Sequence, residues 1–88
     1  MISDAQAKDN IAANVRRLRG DRSFGEIARA CSTEDWHAYP ATIQQIETGR
    51  HLPSAGLLAR VAEALGVTPN DLLSPPPQPP PKNKRRAS

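Results

Sequence analysis

Residues 43–53 read Ile43-Gln44-Gln45-Ile46-Glu47-Thr48-Gly49-Arg50-His51-Leu52-Pro53, and residues 54–67 continue as SAGLLARVAEALGV. Two short helices and the turn between them are written into this stretch. Pro40, just upstream, suits a first helical position, because its fixed φ matches the helix and its missing N–H is not needed there. The spacing predicts a helix over 40–48, with Gly49 as a left-handed terminator. Ser54 then caps a second helix, whose Leu57, Leu58, Val61, Ala62 and Leu65 form one apolar stripe that Gly66 ends.

The helix over 40–48 has two unlike faces. Advancing about 100° per residue, Ile43 and Ile46 point together toward a core. The opposite face carries Ala41, Gln44, Gln45 and Thr48, with no Lys and no acid at its centre. A face kept only for solubility usually mixes Lys and Glu. Small and amide side chains suit entry into the DNA major groove instead, where Gln can engage adenine N6 and N7 and an Ala or Thr methyl can meet thymine. Arg50 and His51, just past the helix, are placed to reach flanking phosphates.

Working outward, Thr68-Pro69 repeats the cap-then-proline signal and opens a short fifth helix through Leu72-Leu73. Upstream, Ser23 caps a second helix in which Phe24, Ile27, Ala28 and Cys31 recur at helical spacing. That spacing puts Cys31 in the core as a small hydrophobe. Ser3-Asp4-Ala5-Gln6 has the form of a capping box, and Ala7, Ile11, Val15 and Leu18 share one face of a first helix that ends at Arg19-Gly20. Between helices two and three, the polar stretch Ser32–Tyr39 has no clear period. Its Trp36 is expected to plug the core.

Composition agrees with an all-α bundle: 38% of the 88 residues are hydrophobic, yet there is one Phe, one Trp and one Tyr, too few aromatics for a typical sheet. No apolar run approaches the roughly 18 residues that span a bilayer, and the N-terminus lacks a signal-peptide core. A single cysteine excludes an internal disulfide. The expectation is a soluble cytoplasmic domain over residues 1–74. Past Ser74, six prolines within PPPQPPP predict an extended polyproline rod and a basic, disordered end over residues 75–88. Lys82, Lys84, Arg85 and Arg86 give that tail +4 against +3 for the whole chain, leaving residues 1–74 at −1. Its cations can add sequence-independent attraction to phosphates, or simply keep the chain in solution. Cys31, His37 and His51 lack a zinc spacing, and no acid pair, nucleophile–base set or Gly-rich phosphate loop occurs. No metal, cofactor, small-molecule ligand or catalysis is implied.

The order of elements, with Val15-Arg16-Arg17-Leu18-Arg19, Ile27-Ala28, the I-x-x-I-E-x-G-x-x-x-P segment, L-L-x-x-V-A-x-A-L-G-V and Asp71-Leu72-Leu73, resembles the Xre-type helix-turn-helix family of lambda-repressor and Cro-like proteins. The likeness covers roughly residues 15–73. It implies a five-helix DNA-binding domain whose third helix reads base edges through Pro40, Ala41, Thr42 and Gln45. Gln44 is supported by the helical wheel. Thr48 and Arg50 correspond to phosphate contacts, and the helix-two N-terminus, Ser23 and Phe24, is expected to offer free N–H groups to the backbone. The resemblance also implies that Glu47 pairs with an Arg of helix one, Arg17 or Arg19, as a structural ion pair. Two features depart from the pattern. Phe24 stands where the family often has a phosphate-binding Gln, and the turn between helices two and three is several residues longer than usual.

The resulting expectation is a sequence-specific regulator bound to a double-stranded DNA operator near the nucleoid, a repressor of the phage or prophage type. A chromosomal regulator or an antitoxin would use the same domain. The chain would act as a monomer or as a homodimer paired through helix five, with half-sites about 34 Å apart. The rival from another class is a protein-interaction module that docks through its proline tail.

Overall fold

The computed structural model describes residues 3–77, which form five α-helices and no strand. They are α1 (Asp4–Arg19), α2 (Phe24–Cys31), α3 (Pro40–Glu47), α4 (Ala55–Leu65) and α5 (Pro69–Leu73). The proline-rich and basic tail expected beyond Ser74 lies, from residue 78 onward, outside the described residues.

Local chemistry starts and stops these helices. Ser23 Oγ accepts from the Glu26 N–H at 3.1 Å while Glu26 Oε1 accepts from the Ser23 N–H at 3.1 Å, a complete capping box. Thr68 and Asp71 form a second one at α5. At α1 only half of the expected box is present. Ser3 Oγ accepts from the Gln6 N–H, but the Gln6 amide donates to Asn10 Oδ1 at 3.1 Å instead of reaching back.

The third helix ends at Glu47, one residue before the expected Thr48, which is the C-cap. Gly49 follows at φ 74°, with its N–H bonded to the Ile46 carbonyl and the Arg50 N–H bonded to that of Gln45. This is a Schellman motif, and its left-handed residue explains the glycine. It fixes the chain direction at Arg50 as the helix stops.

Ile11, Val15, Ile27, Ile43, Ile46, Val61 and Leu72 are almost wholly buried and form the centre of one core, with Leu57, Leu58 and Ala62 closing it from α4. Cys31 is buried among them, as its spacing predicts, and burial pushes its thiol pKa up against a smaller opposite pull from Arg60. Trp36 packs half-buried on this core with the Arg60 guanidinium 4.9 Å from its ring centre, the plug expected of it.

One face of α1 is polar where it meets α5. Asn14 is fully buried, and its amide donates to the carbonyls of Leu72 at 2.9 Å and Ser74 at 2.8 Å, with a longer contact to Asp71 at 3.2 Å. Asn10 donates to the Leu73 carbonyl at 2.8 Å. These side chains satisfy carbonyls that the end of a five-residue helix leaves without partners. Leu72 therefore turns inward, and Pro69, Asn70 and Asp71 form the outer side of α5.

Candidate nucleic-acid interface

Residues spaced along α3 and its cap meet at one open surface. Ala41, Gln44, Gln45, Thr48 and Arg50 together line a shallow concavity, and all five are exposed. Ile43 and Ile46 are fully buried behind them. The face is free of acid because Glu47, the nearest carboxylate in sequence, is turned inward at 4% exposure. Pro40 is exposed at the start of the helix, and Thr42 is half-buried at its edge.

What holds α3 at this angle is a set of arginines from α1. The Arg19 guanidinium grips the Glu47 carboxylate with two nitrogens, Nε to Oε2 and Nη2 to Oε1 at 3.0 Å. Its third nitrogen, Nη1, donates to the Arg22 carbonyl at 2.7 Å. Arg16 Nη2 donates to the Glu47 backbone carbonyl at 3.0 Å. Of the two candidates, Arg19 is thus the partner of Glu47, and Arg17 instead donates to Asn14 Oδ1 at 3.1 Å. The hydrogen bond that Arg19 donates to Glu47 raises the Arg19 pKa above its ordinary value, against a smaller opposite pull from burial. The Phe24 ring stacks on it, 4.4 Å from ring centre to guanidinium carbon.

Three expected phosphate contacts require revision in detail. The Ser23 N–H is not free, since Glu26 occupies it, and that carboxylate places negative charge where an anion was expected. Phe24 is half-buried and serves as a platform for Arg19; only its backbone N–H remains for a phosphate. The Thr48 hydroxyl donates to the Gln45 carbonyl at 3.0 Å, which leaves its oxygen as an acceptor rather than a donor. Arg50 and His51 are exposed, as the expectation requires. Lys82, Lys84, Arg85 and Arg86 lie outside the described residues.

Sequence reasoning passed over Tyr39, which occupies the N-cap position of α3, is 61% exposed and makes no capping bond through its side chain. The signal was available: a residue directly before an N1 proline must be an N-cap, at the leading edge of the helix. Arg16 belongs to the Val15–Arg19 pattern, but its bond to the Glu47 carbonyl could not be read there, because it depends on how α1 crosses α3.

Among the described residues no group of three His, Cys, Asp or Glu side chains is arranged to hold a metal ion, and no helix is long and apolar enough to cross a membrane. No curated protein and no solved structure matches the chain. A family model does: the one described as "Helix-turn-helix domain" matches residues 11–74, from the middle of α1 through the end of α5. That span is most of the chain and contains the whole α2–turn–α3 unit, so the protein belongs to this helix-turn-helix family, whose members bind DNA and are typically not enzymes.

Proposed function

We propose that this protein is a sequence-specific regulator of transcription that binds a double-stranded operator with α3 in the major groove. The observation that carries the reading is the exposed, acid-free face of Ala41, Gln44, Gln45, Thr48 and Arg50 on a helix-turn-helix unit. In this reading Gln45 and Gln44 present paired donors and acceptors to base edges, and the small side chains of Pro40, Ala41 and Thr42 let the helix sit deep. Arg50 and His51 hold phosphates at the helix end, aided by the Phe24 N–H and by the tail cations Lys82, Lys84, Arg85 and Arg86.

The lambda-repressor and Cro resemblance supports a repressor of the phage or prophage type, which acts in the cytoplasm by occluding a promoter. A chromosomal regulator or an antitoxin would dock through the same face; the gene next to the bound site separates these. The polar outer side of α5, with Leu72 buried, favours a chain that binds DNA as a monomer over a homodimer joined through an apolar α5 interface.

Selection from a pool of random duplexes tests the reading. Enrichment of one sequence, with or without a symmetric repeat, supports it. A pool that stays random after several rounds removes it.

A further inference from the structure

The segment that lengthens the turn between α2 and α3 does more than connect them. Together with α2 it borders a cleft whose floor is Gly25, Ala28 and Ala38 and whose rim carries Arg29, His37 and Pro40. The insert is held in one shape. Ser32 Oγ donates to the Ala28 carbonyl at 2.9 Å and accepts from the Ala38 N–H at 2.9 Å. The Thr33 N–H donates to the Trp36 carbonyl at 2.7 Å, and Trp36 anchors the loop beneath Arg60. His37 meets Tyr39 edge to face, ring centres 5.2 Å apart, and Tyr39 leaves its hydroxyl in solvent at the start of α3.

Charge in this cleft is of one sign. Arg29 makes no salt bridge among the described residues, and Glu26, one turn before it, has its carboxylate on the Ser23 N–H. Glu34 and Asp35, the acids of the insert, do not line the cleft.

We propose that this cleft is a second DNA-phosphate seat, in which Arg29 and His37 hold a phosphodiester and the Tyr39 hydroxyl donates to the same strand. The proposal rests on α3 being the reading helix. In a helix-turn-helix the helix before the reading helix crosses the DNA backbone, and Arg29 is an exposed residue of that preceding helix, α2. Arg50 stands at the C-terminal end of α3 and the Arg29–His37 cleft at its N-terminal end. The insert thus replaces a contact that the occupied Ser23 N–H and the apolar Phe24 side chain do not supply.

Binding of the full chain to its selected duplex, followed by fluorescence anisotropy across a range of salt concentrations, tests this. Arg29→Ala is expected to weaken binding about tenfold at low salt and to reduce the slope of log K against log salt by about 0.9. The same loss is expected on a scrambled duplex. Arg29→Lys should restore the slope, and Tyr39→Phe should weaken binding by about threefold while leaving it. Melting curves check the folding of each variant; among the described residues the exposed Arg29 side chain makes no hydrogen bond or salt bridge, so its loss should leave stability near wild type.

If Arg29→Ala and Tyr39→Phe leave affinity and slope unchanged while Gln45→Ala alters sequence preference, the seat is refuted and the reading helix stands. A change of preference without a change of slope also overturns the seat, since it would mark a base contact. If the wild-type chain binds no duplex, both assignments fall.

Discussion

The Arg19 guanidinium sits as a fork on the Glu47 carboxylate, and this pair joins the last turn of α1 to the last turn of α3. Both partners contribute to holding the exposed face of α3 in place against α1. Glu47 is almost completely buried, Arg19 is covered on one side by Phe24, and Arg16 adds a bond to the Glu47 backbone. Removing one partner leaves the other charge without its match in a largely enclosed site, which costs more than the pair itself contributes.

Glu47→Gln keeps the side-chain shape and removes the charge. The expected result is a melting temperature lower by about 5 °C or more. Arg19→Ala combined with Glu47→Ala should cost less than the sum of the two single changes, because the double variant strands no charge. Strict additivity in thermal melts would show that the pair is not coupled.

A second joint lies at the opposite side of α1. Asn14 ties α1 to the end of α5 through carbonyls 57 to 60 residues away along the chain. Asn14→Ala should lower stability by about 2 kcal/mol, since it strands buried carbonyls and leaves a small void. Asn14→Asp should cost more at neutral pH: a carboxylate cannot donate, and it meets the negative end of α5. Asn10→Ala, which removes a single bond to Leu73, should cost less than either. Urea midpoints with an unchanged m value would measure this order.

These joints mark the limit of what the sequence reveals. Helix starts were legible because their chemistry is local: Ser23, Ser54 and Thr68 each cap within three residues, and Pro40 and Pro69 sit at first positions. Gly49 and Gly66 were legible as stops, since both adopt positive φ. Ile43, Ile46, Val61 and Cys31 follow helical spacing into the core. Asn10 and Asn14 look like solvated positions on α1, because the carbonyls they serve belong to α5. Gln6 was misjudged for a related reason: a side chain four residues ahead, Asn10, competes for its amide. The partner of Glu47 depended on the crossing of α1 and α3, which residue spacing alone does not set. The exposed, acid-free face of α3 was legible because it depends only on the winding of one helix.

Acid should weaken the α5 cap in a defined direction. The Thr68 backbone N–H donates to the Asp71 carboxylate at 3.0 Å, and this bond, with a smaller share from the Thr68 hydroxyl, holds the Asp71 pKa below its ordinary value. A carboxylate with a depressed folded-state pKa adds stability that is present above the ordinary aspartate range, near 4. That stability is lost as pH falls through the lower, folded-state value. Asp71→Asn should therefore be less stable than the wild type at pH 6, and the gap should narrow toward pH 2. Urea titrations at several pH values check this; a gap independent of pH would assign the effect to something other than the carboxylate.

In the proposed function, an uncharged helix face reads sequence while charge at its edges and on the tail holds the DNA backbone. The most direct measurement is the ratio of affinities for the selected and scrambled duplexes at one fixed salt concentration, in the wild type and in Gln45→Ala. Loss of a bidentate amide contact removes about 1–3 kcal/mol of discrimination. The ratio should fall about tenfold or more in Gln45→Ala, while affinity for the scrambled duplex and its salt slope stay near wild type. A ratio unchanged in Gln45→Ala, and unchanged again in Gln44→Ala, would contradict the account.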